Sequence, residues 1–176
     1  SVHYRHLRRY AFYIFLFTLF LTLTVFIPGL GMSHGGATRW ISIAGFSLQP
    51  SELLKLGFVI YMATWLSGMK EYITDFKSGT LPYLGIVAVV AGVMLLQPDT
   101  DTFLIMGAAS LAMFVTAGGR WRDVGLMFLA AITLLTVIAF MRPYIMDRLT
   151  TFLHPEDDPL GSGYQIQQSL IAVGSG

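Results

Sequence analysis

Long apolar runs alternate with short polar breaks along this chain. Residues 10–27, 78–98, 102–119 and 124–141 contain no Asp, Glu, Lys or Arg, and residues 56–69 form a shorter uncharged run. A helix needs roughly 17–25 apolar residues to cross a bilayer, so four of these runs predict spanning helices by themselves. The fifth reaches that length as 52–69 if its charged start, Glu52 to Lys55, lies inside the protein or at its edge. The pattern predicts an all-α fold, a polytopic transmembrane helix bundle with extracellular loops and short re-entrant or amphipathic helices. No internal repeat or hydrophilic linker divides residues 1–176, so a single membrane domain is expected.

The last stretch, residues 142–176, departs from the alternation. It opens with a basic exit, Arg142-Pro143, and continues to three consecutive carboxylates, Glu156, Asp157 and Asp158. Pro159 and the glycines Gly161 and Gly163 follow. If residues 164–173 are helical, Gln165, Gln168, Ser169 and Ala172 share one face, and Ile166, Leu170 and Val173 point elsewhere. A carboxylate cluster beside a polar stripe at the mouth of a membrane bundle is a place for chemistry or transport.

Composition strengthens the membrane reading. Apolar residues make up 55% and charged residues 12% of the chain, about half the charge of a soluble domain. The net charge of +1 hides a sorted distribution. With alternating spans and a cytoplasmic N-terminal end, one side holds Arg5, Arg8, Arg9, Lys70, Lys77, Arg120 and Arg122. The other holds only Arg39, Lys55, Arg142 and Arg148. That bias follows the positive-inside rule and puts the carboxylate cluster outside. The absence of cysteine excludes a disulfide framework and a thiolate metal site. Scattered basic residues give no support for nucleic-acid binding. The start at Ser1 has neither an initiator Met nor a signal-peptide pattern, so the sequence reads as an internal piece of a larger membrane protein.

Between the first two spans, residues 29–52 are expected as an outer loop. Gly35 and Gly36 permit a tight bend, Trp40 suits a membrane interface, and His34 reads as a solvated loop residue. Gln49-Pro50-Ser51-Glu52 is a helix start, with proline at the first position and Glu52 able to reach back to the first-turn amides. Glu52 and Lys55 are three apart and can pair on one face. Spacing leaves two readings open: a cap with an interfacial salt bridge, or an ionisable pair facing a cavity. Arg39, Lys55, Arg142 and Arg148 could gather round an anionic headgroup or only solubilise loops. Repulsion among the three adjacent carboxylates favours a proton acceptor there. The same cluster allows a divalent cation (Mg or Mn), although three acidic neighbours in a loop do not define a site.

Several of these segments form a recognisable set. GATRWISIAGFSLQPSELLKL, LLQPD and RPYIMDRLTTFLHPEDDPLGSGYQIQQSLIAVGSG resemble the SEDS proteins of shape, elongation, division and sporulation, which include FtsW and RodA. The resemblance covers nearly the whole chain. Arg142-Pro143-Tyr144 and GSGYQ at residues 161–165 look more like the FtsW branch. It implies a peptidoglycan glycosyltransferase that polymerises lipid II with release of undecaprenyl diphosphate, in cell division or elongation. The implied catalytic residue is Asp158, directly before proline. Glu52 and Lys55 would line the polar cavity, with Arg39, Gln165, Gln168 and Ser169 as further substrate-binding residues. Asp99 of the QPD turn matches the family; Asp101 replaces the glycine of the common QPD-x-G-T form. Arg142 and Arg148 are secondary candidates.

The resemblance also implies a class B penicillin-binding protein as transpeptidase partner, within a divisome or elongation complex. The implied location is the bacterial cytoplasmic (inner) membrane, multi-pass, with the Asp158 loop extracytoplasmic. Two alternatives remain at this level: a lipid II flippase, and a non-catalytic membrane scaffold. A translocation path calls for ionisable residues near the midplane, and four of the five runs have none.

Overall fold

The computed structural model describes residues 4–34, 37–43, 46–69, 71–141, 150–151, 153, 161 and 163–175. Six α-helices carry most of them: α1 Tyr4–Leu23, α2 Pro50–Gly68, α3 Leu81–Leu96, α4 Thr100–Thr116, α5 Trp121–Met141 and α6 Tyr164–Gly174. Each uncharged run of the sequence lies on one of the first five. Helices α1, α2, α4 and α5 begin before their runs do, because polar and charged residues occupy their first turns: Arg5, Glu52, Asp101 and Asp123; α3 begins three residues inside its run. Acidic side chains at three of these starts complement the positive end of the helix dipole. Proline sits in the first turn of both α2 and α3, where its missing N–H removes no helical bond. By length and composition, Arg5–Phe26 and Phe76–Leu96 suffice to cross a membrane, with mean hydropathies of 1.7 and 2.1.

The expected outer loop is not irregular. A 3-10 turn, Thr24–Phe26, ends α1, and Gly29 turns the chain at φ 91°, a left-handed conformation that favours glycine. Three antiparallel strands follow in the order β1-β2-β3: β1 Gly31–His34, β2 Ala37–Ile43 and β3 Phe46–Leu48. Gly31 pairs with Ile41, Ile41 with Leu48 and Ile43 with Phe46, and a bulge interrupts β1 between Met32 and Ser33. Thr38, Trp40, Ile41 and Ile43 are β-branched or aromatic, which suits a pleated surface. The helical bundle therefore carries a small sheet on the α1–α2 connection that the hydropathy pattern did not reveal.

The chain divides into two compact units, residues 1–124 and 125–176. In the first, α1 packs on α2, α2 on α4, and α4 on α3. The contact faces follow helical spacing. Ala11, Phe15, Thr18 and Thr22 of α1 are buried, as are Leu54, Phe58, Met62 and Leu66 of α2. Tyr13, Phe17 and Phe20 of α1 face outward. Lipid tails are as apolar as leucine, so burial of apolar surface gives membrane helices little drive to associate, and close packing must supply it. The α1–α2 contact shows how. Gly57 lets α2 approach so closely that a β-carbon there would stand 2.3 Å from Thr18 Oγ1. Phe15 stacks on Tyr61 at 4.9 Å between ring centroids.

Buried polar groups join the helices where apolar contact cannot specify a register. Tyr83 of α3 hydrogen-bonds Ser110 of α4 through their hydroxyls at 3.0 Å. Within α1, the Thr18 hydroxyl donates to the carbonyls of Ile14 and Phe15 and that of Thr22 to the Thr18 carbonyl, so these buried hydroxyls are satisfied by their own helix. A π-helical turn, Phe76–Thr80, precedes α3. In the second unit the described elements are the remainder of α5 and α6, and α6 occupies the residues where the polar-face pattern predicts a helix.

Candidate functional site

Two groups of sequence-predicted residues form in the first unit, one at the start of α2 and one between β2 and the α3–α4 turn. Glu52 and Lys55 lie one turn apart on α2, and the Lys55 ammonium stands 2.8 Å from each carboxylate oxygen of Glu52. The Lys55 side chain is 26% exposed and that of Glu52 56%. This pair is thus reachable from outside the bundle, with the lysine the less exposed of the two. The expected cap is not made: Gln49 precedes Pro50 without a side-chain cap bond, and the Glu52 carboxylate turns to Lys55. Salt-bridge formation wins because a full charge partner at one turn's distance outcompetes a neutral amide.

The second group centres on Arg39 of β2. All three guanidinium nitrogens face the turn between α3 and α4. Nε donates to the Gln97 carbonyl at 3.4 Å, one Nη donates to the Pro98 carbonyl, and the other stands 3.6 Å from Asp99 Oδ1. The Asp99 side chain is 3% exposed. Gln97, also buried, donates its side-chain amide to the Thr22 carbonyl at the end of α1, at 2.8 Å. The end of α1, the sheet and the α3–α4 turn are joined through these side chains. The sheet continues the chain of contacts: Ile41, two residues beyond Arg39, pairs with Leu48, two residues before Pro50. β2 also packs directly on α2.

Three buried side-chain atoms at these elements, Ser51 Oγ, Gln97 Oε1 and Asp99 Oδ2, have no hydrogen-bond partner among the described residues. Such atoms are costly in a dry interior and concentrate where a structure does more than hold itself together. Gln97 and Ser51 were missed as candidates by the sequence reading. The available signal was the position of Gln97, an amide at the apolar end of a span, directly before Pro98-Asp99.

The other sequence candidates divide by what the structure describes. Gln168 and Ser169 lie exposed on α6, and Gln165 lies on the same helix. Asp158, its neighbours Glu156 and Asp157, and Arg142 and Arg148 lie outside the described residues. Among the described residues, no group of three or more His, Cys, Asp or Glu side chains converges to hold a metal ion.

Comparison with known proteins gives this arrangement its context. A family model described as cell cycle protein, covering FtsW, RodA and SpoVE, matches residues 1–176. The chain belongs to the FtsW/RodA/SpoVE family. It is 39% identical over 175 residues to a "Probable peptidoglycan glycosyltransferase FtsW" of Geobacter sp. (strain M18), covering 99% of this chain and 48% of that protein. It is 37% identical over 176 residues to stage V sporulation protein E of Bacillus subtilis (strain 168), covering 100% and 48%. The chain spans about half the length of the curated relatives it matches.

Two solved structures share the fold of this family. A chain from a peptidoglycan synthase complex that coordinates polymerization and crosslinking superposes with a TM-score of 0.72 at 32% identity, over 96% of this chain and 49% of that one. The rod shape determining protein RodA of Thermus thermophilus gives 0.61 at 30% identity, over 74% and 42%. The chain is a helical membrane protein of this family, as its apolar runs and motifs led us to expect.

Proposed function

We propose that this chain carries part of the active centre of a peptidoglycan glycosyltransferase that polymerises lipid II. The observation that carries the reading is the Glu52–Lys55 pair, an ionisable couple held at 2.8 Å on the head of a bundle helix and open to the outside. Charged side chains in a membrane helix are costly and are kept where a polar substrate must be met. Relatives at 35–39% identity that bear the glycosyltransferase name support it.

In this reading the 4-hydroxyl of one sugar attacks the anomeric carbon of another. The carbon–oxygen bond to the diphosphate breaks, undecaprenyl diphosphate leaves with the bonding electrons, and the linkage inverts from α to β. The attacking hydroxyl gives its proton to the carboxylate of Asp158, acting as general base. Positive charge near the departing diphosphate lowers the barrier, and Lys55, Arg142 and Arg148 are the cations assigned to it. Gln168 and Ser169, with Gln165, offer hydrogen bonds to sugar. A divalent cation would be held by the carboxylates at 156–158.

The N-terminal end of the chain is assigned to the cytoplasm and the Asp158 loop to the opposite side of the bacterial cytoplasmic membrane. That puts the chemistry where the glycan is built. A class B penicillin-binding protein, which crosslinks the product, is the assigned partner within a divisome or elongation complex.

The test is lipid II polymerisation by the purified full-length protein and its Asp158→Asn variant, with and without a chelator. Glycan from the parent and none from a normally inserted variant is the expected result. Lipid II translocation without glycan would make the protein a flippase. Full glycan yield from the variant would remove Asp158 as the base, and silence of substitutions at Glu52, Lys55 and Asp158 together would leave a scaffold.

A further inference from the structure

We propose that Arg39 is a positioning residue, which fixes the head of α2 and with it the Glu52–Lys55 pair, rather than a ligand of the substrate. This rests on the polymerase reading only for its kinetic consequence. The geometric consequence stands by itself.

The argument begins with where the guanidinium points. Arginine recognises phosphate by presenting two parallel N–H groups from its planar fork. Each of the three nitrogens of Arg39 instead faces the α3–α4 turn, at the Gln97 carbonyl, the Pro98 carbonyl and Asp99 Oδ1. Both carbonyls lie at the α3 exit, where the last helical carbonyls lack internal partners and draw a cation. A fork held on three acceptors of one turn is not free to close on a diphosphate.

The consequence follows the chain. Arg39 is in β2, β2 is paired to β3 from Ile41–Leu48 to Ile43–Phe46, and β3 runs into α2 through Gln49. Glu52 is only four residues beyond Leu48. Anchoring β2 to the turn that starts α4 therefore fixes where α2 enters the bundle, on the same helix pair, α2 and α4, that packs together below. Gln97 ties this turn to Thr22 at the end of α1, so the anchor does not move as a free unit. Lysine at position 39 keeps the charge but cannot engage three acceptors in one plane.

The experiment uses the full-length protein in lipid nanodiscs, with Arg39→Lys, Asp99→Asn and the double variant. One readout is kinetic, kcat and KM for lipid II. The other is chemical, the rate at which the Lys55 amine reacts with an acylating reagent, read by mass spectrometry. We expect both single variants to lower kcat by about tenfold with KM changed by less than about twofold, and the double variant to be no worse than the poorer single. The Lys55 acylation rate should change by about threefold or more in each, because the environment of its ammonium shifts.

A KM raised about tenfold at unchanged kcat, with Lys55 reactivity as in the parent, would make Arg39 a substrate ligand and overturn the proposal. If the parent makes no glycan, the polymerase reading fails and the acylation rates alone decide the positioning role. If Arg39→Lys does not fold, Asp99→Asn carries both readouts.

Discussion

Asp123, in the first turn of α5, accepts a hydrogen bond from the Thr80 hydroxyl at 2.7 Å, and both side chains are buried. The bond joins the end of the π-helical turn before α3 to the start of α5, across a gap of 43 residues in sequence. The second oxygen of Asp123, Oδ1, has no hydrogen-bond partner among the described residues, and the guanidinium of the exposed Arg122 stands 3.5 Å from it. The carboxylate therefore depends heavily on Thr80.

Thr80→Val keeps the shape and removes the donor. Hydrogen bonds to buried charged groups are worth about 1.5–3 kcal/mol, so a loss of that order is expected in thermal unfolding of the detergent-solubilised protein. Thr80→Ser, which restores the donor, should recover most of it. An unchanged melting temperature for Thr80→Val would show that Asp123 is held by other means.

The α1–α2 contact predicts a pair of compensating substitutions. A β-carbon at Gly57 would overlap Thr18 Oγ1 at 2.3 Å, and the other two Thr18 side-chain atoms stand at 3.3 Å. Rotation cannot clear the space, because a β-branched side chain brings another heavy atom into it. Gly57→Ala should cost about 1–3 kcal/mol by overpacking. Adding Thr18→Ala should return much of that loss, and strict additivity of the two changes would refute the overlap.

Glu52 and Lys55 should separate activity from stability. A partly exposed pair at i, i+3 contributes no more than about 1 kcal/mol to folding. Glu52→Gln should therefore melt nearly as the parent does while losing at least about tenfold in polymerisation, the amount expected when a group is used at the reacting site rather than in the fold. Equal losses in both measurements would assign the pair a structural role.

Acid should act on the loop before α3. The Ser78 backbone amide, then its hydroxyl, hold the Asp75 carboxyl below its ordinary value of 3.8. A carboxyl lowered in the folded state stabilises it above the unfolded value and ceases to do so as pH falls through the folded value. Protection of the Ser78 amide in hydrogen exchange should persist above pH 3.8 and fade below it. Asp75→Ala should remove that protection throughout; a retained, pH-independent protection would sink the assignment.

The sequence by itself determined that this is a membrane bundle and roughly where five of its helices lie. Charge-free runs of spanning length leave a backbone in lipid no other way to satisfy its hydrogen bonds. It also placed Glu52 and Lys55 on one helical face, since a three-residue spacing on a helix is a geometric fact. Motif resemblance carried the family assignment across residues 1–176. Tertiary structure alone decided what the long-range partners are. Arg39 and Asp99 are 60 positions apart in the chain, and no local pattern could say that the arginine closes on that turn. Nor could hydropathy distinguish the three-stranded sheet from a loop, because its strands are short and their pairing is made with residues elsewhere in the segment. Periodicity reads one element against a uniform solvent, whereas these contacts exist only once several elements are packed together.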